Sequence, residues 1–194
     1  ADVLIDSLKA QGVDRVFCVP GESYLGAIDA LYDAPEIDIV RVRHEGGGGF
    51  MAVADAKYTG RTGVAFVSRG PGATNASIGV HVAKQDAVPI VLFIGQVARG
   101  DIGRGAFQEV DYVKTFSDMA KLVIEISDPD QLASLVQQAF YAANAGTPGP
   151  VVVSLPEDML LEDTKVHAKP AKRNSIKEID AEEMVRLIFP MLTK

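Results

Sequence analysis

Glu45 stands between a histidine and four consecutive glycines, in the stretch RVRHEGGGGFMAVADAKYTG that runs from Arg41 to Gly60. A carboxylate so placed can serve one of two ends. In the first turn of a helix it sits against the positive end of the helix dipole, a gain of roughly 0.3–1 kcal/mol. At the carboxyl edge of a strand, partly withdrawn from water, it can hold or pass a proton. Phe50, Met51, Val53, Ala54 and Tyr58 follow helical spacing just downstream, so a helix begins nearby in either case. The glycines tip the balance. Each costs about 1 kcal/mol inside a helix relative to alanine, and Asp or Ser caps a helix better than Glu. A mere cap gives them no purpose, whereas missing side chains would let a flat ring approach Glu45.

Three more glycine-bearing loops follow strand-like runs: VPGES (19–23), SRGPGATN (68–75) and GQVARGDIGRGAFQE (95–109). With RHEGGGG (43–49) they line one edge of a parallel sheet, where ligands bind beside a switch in strand order. Gly70 and Gly72 imitate the opening of a dinucleotide fingerprint, but Asn75 fills its sixth position and the next strand ends in FIGQ, without a ribose-binding acid. No GxxxxGK[ST] or GxSxG occurs, so a P-loop and a hydrolase elbow are absent from the sequence. His44, His81 and His167 lack metal-ligand spacing, and no metal site is expected. The one cysteine, Cys18 in RVFCV, reads as a core thiol and rules out a disulfide within the chain.

The elements that must carry these loops are short β-branched runs alternating with amphipathic segments, which indicates an α/β fold. Strands are expected at 16–19, 37–42, 64–67, 90–94, 122–126 and 151–153, mostly buried on both faces because their apolar residues are nearly continuous. Helices are expected at 3–11, ended by Gly12, and at 25–32, 50–58, 76–84 and 131–143, the last started by Asp128-Pro129. These make a doubly wound, mostly parallel six-stranded sheet flanked by helices over residues 1–160. Residues 161–176 read as a linker, including the basic KPAKR at 169–173. Within 177–194 a helix over 179–189, with Ile179, Met184, Leu187 and Ile188 apolar and Pro190 as its stop, reads as the first helix of a truncated central domain. A C-terminal helix docking back on the sheet is the alternative.

Composition narrows the partners. The chain has 194 residues, 47% of them hydrophobic, enough for one good core. A net charge of −7 argues against nucleic-acid and anionic-membrane surfaces. No apolar run reaches the ~18 residues of a membrane span, and no signal pattern opens the chain, so a reducing cytoplasmic setting is expected.

Taken in order, VPGES, RHEGGGGFMAVADAKYTG, SRGPGATNA, VPIVLFIGQV and AFQEVD resemble the N-terminal pyrimidine-binding domain of thiamine diphosphate enzymes. The nearest branch is the acetolactate synthase-like one, whose second motif usually reads RHEQGAAFMAEGYAR. The resemblance implies a thiamine diphosphate-binding fold with flavodoxin-like layers. It implies that Glu45 is the catalytic glutamate, hydrogen-bonded to N1′ of the aminopyrimidine and promoting the imino tautomer that leads to the ylide. Pro20, Gly21, Glu22, Thr74 and Asn75 are implied on the cofactor, and Phe107 and Gln108 at the substrate end of a site shared across a dimer. The implied reaction is lyase or carboligase chemistry on a 2-keto acid such as pyruvate, in a homodimer or homotetramer that also binds FAD in some relatives.

Two departures stand out. Gly46, Gly48 and Gly49 replace the usual Gln, Ala and Ala, which predicts a wider pocket and an unusual substrate; Arg69 replaces the usual serine or threonine before GPG. Lys121 falls near the lysine of a TKHN motif, but its neighbours read MAKL. The family's Gly-Asp-Gly…Asn motif for diphosphate and Mg²⁺ does not occur, since Gly100-Asp101-Ile102-Gly103 is no match. Mg²⁺ is therefore expected in a domain absent from this chain, and the fragment alone is expected to be inactive. The alternatives are a non-catalytic dimerisation or regulatory module, the small subunit of a split thiamine diphosphate enzyme, or a flavodoxin-like nucleotide binder.

Overall fold

The computed structural model describes residues 1–172 and 181–192. Its sheet has six strands, all parallel, in the order β2-β1-β3-β4-β6-β5. They are β1 (Arg15–Cys18), β2 (Asp38–Arg41), β3 (Gly63–Val67), β4 (Ile90–Gln96), β5 (Leu122–Glu125) and β6 (Pro150–Pro156). β3, β4 and β6 are buried along their whole length, which is why their sequences are almost unbroken apolar runs. The two edge strands are more open: β2 has exposed Asp38 and Arg41 at its ends, and β5 has exposed Glu125.

Successive side chains point to opposite faces, so each strand feeds two cores. Val16, Phe66, Phe93 and Val153 pack on one face beneath Leu4 and Leu8 of α1 (Asp2–Ala10), Leu31 of α2 (Leu25–Tyr32) and Phe140 of α6 (Leu132–Asn144). Phe17, Ala65, Val67 and Leu92 pack on the other, beneath Ala52 of α3 (Glu45–Thr59), Ala76 and Val80 of α4 (Pro71–Gln85) and Phe116 of α5 (Tyr112–Phe116). Cys18 is buried in the first of these cores. Helices on both faces and a strand order that reverses at β1 make the sheet doubly wound.

Two helices begin earlier than helical spacing predicts, and these are the helices that matter for the site. α3 takes in Glu45 and all four glycines, and α4 starts at Pro71 rather than residue 76. Tertiary contact overrides the low propensity of the glycines. A Cβ added at Gly79 of α4 would lie 2.7 Å from Cα of Gly49, and one at Gly48 would lie 3.0 Å from Cγ2 of Val42. Gly46, Gly48 and Gly49 are buried. They do not open a loop for a ring, as the sequence suggests; they let α3 lie against α4 and β2. Their departure from the family pattern thus has a packing cause within the fold.

Residues 163–172 have no regular secondary structure but are fastened to the α1–α6 face. Gln11 Nε2 donates to the Lys169 carbonyl at 2.8 Å, Gln137 Nε2 to that of Pro170 at 2.6 Å, and Lys172 Nζ lies 4.8 Å from the Tyr141 ring centre. α7 (Ala181–Leu192) continues through Pro190, which sequence reasoning assigns as its stop. Proline so near a helix end removes a single backbone bond, and the last residues still bond to the turn before them. Residues 173–180 of the expected linker and helix start, Arg173 and Ile179 among them, lie outside the described residues. Among the described residues no helix is long and apolar enough to cross a membrane.

Replacing Gly79 by alanine drives a methyl group into the α3 backbone. The expected loss is about 1–3 kcal/mol in urea unfolding. A Cβ on Gly47 meets nothing within 4 Å, so Gly47→Ala should stabilise by ~0.5–1 kcal/mol through helix propensity. Equal effects at the two positions would contradict the packing explanation.

Candidate functional site

The strand β2 ends at Arg41 and the chain turns into α3 at Glu45, so the carboxylate arrives at the carboxyl edge of the sheet next to the β1–β3 switch. His44 is the helix cap: its Nδ1 accepts from the Gly46 N–H at 3.1 Å. The cap is thus filled by His44, and the Glu45 side chain is left for other work. Glu45 is half-buried. Asn75 Nδ2, in the second turn of α4, donates to its Oε2 at 3.0 Å. Among the described residues that is the hydrogen bond on Glu45, leaving Oε1 open to a further donor. Gly72 flanks the same carboxylate, since a Cβ there would stand 3.4 Å from Oε1.

Tyr24, just after the β1 loop, is fully buried, and its hydroxyl donates to the Val19 carbonyl. Burial pushes the phenol far above the ordinary tyrosine range, with further pushes from Cys18 and Glu45, so it stays a proton donor. Its ring stacks on Phe66, which stacks on Phe93. Sequence reasoning passes over Tyr24; the signal present is an aromatic residue one turn after the VPG loop.

The loop after β1 holds Pro20, Gly21 and Glu22, and it is tied to the loop after β3. Ser23 Oγ lies 3.0 Å from Ser68 Oγ and accepts from the Arg69 N–H at 3.1 Å. The approach is so close that a Cβ on Gly21 would lie 2.7 Å from that of Ser68. Arg69 donates from Nη2 to Glu22 at 2.8 Å and from Nη1 to Glu157 at 2.9 Å. Thr74 is exposed and its hydroxyl donates back to the Gly70 carbonyl at 3.0 Å. Thus Glu45, Gly72 and Asn75 meet directly, while Gly21 and Glu22 form the neighbouring wall.

Phe107 and Gln108 belong to a separate loop that meets the head of α4. Phe107 is 74% exposed. Gln108 has φ of +63°, and its carbonyl would be 2.5 Å from a Cβ on Gly70. Gly70, itself at φ +44°, donates its N–H to the Tyr112 hydroxyl at 3.0 Å. Burial pushes the Tyr112 phenol up to about 12. Glu109 shapes this loop from within, accepting from the N–H groups of Gly103, Gly105 (2.9 Å) and Ala106 (3.1 Å). A cavity of about 400 Å³ opens beneath it, lined by Gln96, Tyr112, Glu125 and Ser154 among others. Glu45 is not part of that lining. Lys121 is elsewhere, donating to the carbonyls of Ala145 and Thr147 after α6. Among the described residues no cluster of three or more His, Cys, Asp or Glu side chains is arranged to hold a metal ion.

The sequence profile of the family described as "Thiamine pyrophosphate enzyme, N-terminal TPP binding domain" matches residues 1–115, the part that carries Glu45, Asn75 and the loops around them. The chain belongs to the thiamine pyrophosphate enzymes. It is 39% identical over 173 residues to a catabolic acetolactate synthase of Raoultella terrigena, covering 89% of this chain and 31% of the relative. It is 42% identical over 160 residues to the large subunit of acetolactate synthase isozyme 3 of Escherichia coli K12, covering 82% and 28%. A chloroplastic acetolactate synthase 3 of Brassica napus is 40% identical over 159 residues, covering 82% and 24%. The chain therefore spans between a quarter and a third of these relatives, as an acetolactate synthase-like N-terminal domain.

Glu109 gives this edge a pH dependence. The Gly103 N–H above all, and then those of Ala106 and Gly105, hold its carboxyl below the ordinary glutamate range. A lowered folded value means the loop contact is intact above that range and is lost as pH falls through it and below. Hydrogen-exchange protection of the Gly103, Gly105 and Ala106 amides should be flat at neutral pH and collapse on acidification. In Glu109→Gln the acid step should vanish; its persistence would assign it to another group.

Proposed function

We propose that this chain is the pyrimidine-binding domain of a thiamine diphosphate-dependent lyase or carboligase acting on a 2-keto acid. The observation that carries the proposal is the Glu45 carboxylate at the strand-order switch, half-buried, with Oε2 held by Asn75 and Oε1 open. The names of the relatives, acetolactate synthases, support the substrate class. When bound, the cofactor supplies a carbon nucleophile and a sink for the electrons of the cleaved bond. Glu45 holds or releases the proton at N1′ of its aminopyrimidine, and Asn75 fixes the rotamer in which it does so. Gly72 keeps Oε1 clear of side-chain atoms. Pro20, Gly21 and Glu22 line the pyrimidine from the β1 side, with Thr74 at the α4 edge. Phe107 and Gln108 border the substrate end.

In this proposal residues 1–160 are the pyrimidine domain, 161–176 are a linker, and 177–194 begin a central domain. The diphosphate and Mg²⁺ are held outside this chain's residues. Phe50 and Met51 of α3 and Ile78 of α4 are each 43–50% exposed, and Tyr58 is 93% exposed. This apolar patch on the two site-bearing helices supports pairing with a second copy through that face.

Glu45→Gln in the complete enzyme should slow exchange of the cofactor C2 proton with solvent by at least about 100-fold, followed by NMR. Wild-type exchange in that variant would remove the assigned role. A charge in the patch, Met51→Glu, should shift the enzyme toward monomer in sedimentation; an unchanged assembly would place the pairing surface elsewhere.

A further inference from the structure

Arg69 is the most deeply buried cation at the carboxyl edge, 9% exposed, and it ties its own loop after β3 to two others. Its backbone N–H is held by Ser23 after β1, its Nη2 by Glu22 in the same loop, and its Nη1 by Glu157 at the end of β6. The two carboxylates are far more open than the guanidinium, with side-chain exposures of 66% and 40% against 11%. Its Nε is buried without an acceptor among the described residues. Burying a cation and leaving one of its donors unused is unfavourable unless the remaining bonds secure something. What they secure is Glu22. An exposed glutamate on a short loop would otherwise sample several rotamers, and two carboxylates around an empty position would repel each other.

We propose that Arg69 is a positioning residue for the cofactor: it fixes Glu22 and the Pro20–Gly21 turn in the conformation that receives the pyrimidine, with Glu157 as the anchor that stops the guanidinium from turning away. The proposal rests on the function assigned above and adds to it a source of preorganisation that lies outside the ring-contacting residues. Arginine suits the task because its planar fork reaches two carboxylates in fixed directions, which a lysine ammonium does not reproduce.

The test is a mutant cycle in the complete enzyme, with kcat and the KM for thiamine diphosphate measured separately. Arg69→Ser should raise the cofactor KM roughly tenfold, with the smaller change in kcat. Glu22→Ala should raise it to a similar degree, and the double variant should be no worse than the more impaired single one, because either change releases the same loop. Additive effects, or a cofactor KM indifferent to Arg69→Ser, would overturn the proposal. If Arg69→Ser does not fold, Arg69→Lys is read by the same criteria, with a raised KM at retained kcat in support and an unchanged KM against. Glu45→Gln separates the two levels, since its loss falls on kcat. An enzyme slowed by Glu45→Gln but insensitive in KM at Arg69 would keep the functional assignment and lose the positioning role.

Discussion

The close crossing of α3 and α4 at Gly49 and Gly79 is the contact on which the site depends. Backbone meets backbone there, with no room for a Cβ on Gly79. One turn before each of these glycines lie Glu45 and Asn75, four residues upstream of Gly49 and Gly79 respectively. Bringing the two helix axes together therefore brings the two side chains within 3.0 Å. A pair of alanines at the crossing would hold the helices apart and leave the carboxylate and the amide too far from each other to bond. The low helix propensity of the glycines, about 1 kcal/mol at each position, is offset by that packing and by the geometry it creates.

Around this pair the loops of the carboxyl edge are fastened to one another rather than left free. Ser23 and Ser68 join the first two, Arg69 extends the junction to Glu157, and Tyr112 with Gln108 joins the long loop to the head of α4. Glu109 closes that long loop on its own amides. Charged and hydroxyl groups are thus held in place by one another, the preorganisation that the proposed proton transfer at Glu45 calls for. Phe107, on the same long loop, projects outward and is 74% exposed.

Much of this was legible in residue order. All six strands fall where apolar runs place them, and most plainly β3, β4 and β6, because a strand buried on both faces has no polar positions to confuse its signal. Cys18 is in the core and Asp128 does cap the turn that leads into α6, its Oδ1 accepting from the Asp130 N–H at 2.9 Å. The starts of α3 and α4 were not legible. Glycines and a proline signal a loop locally, and only the partner helix, some thirty residues away in sequence, makes them helical. For the same reason Gly46, Gly48 and Gly49 looked like space for a ligand when they are space for Val42, Asn75 and α4. Arg69 could be singled out by its departure from the family pattern, but its two carboxylate partners lie 47 and 88 residues away and no local pattern joins them.

In the proposed function, Glu45 works through the N1′ nitrogen of the aminopyrimidine. The most direct measurement compares C2 proton exchange in the complete enzyme loaded with thiamine diphosphate and with an analogue in which N1′ is replaced by carbon. With Glu45 acting at N1′, the native cofactor exchanges rapidly and the analogue falls to the rate seen in free solution. Equal acceleration of both would contradict the account, because it would mean that the carboxylate delivered by α3 and held by Asn75 is not the group that activates the cofactor.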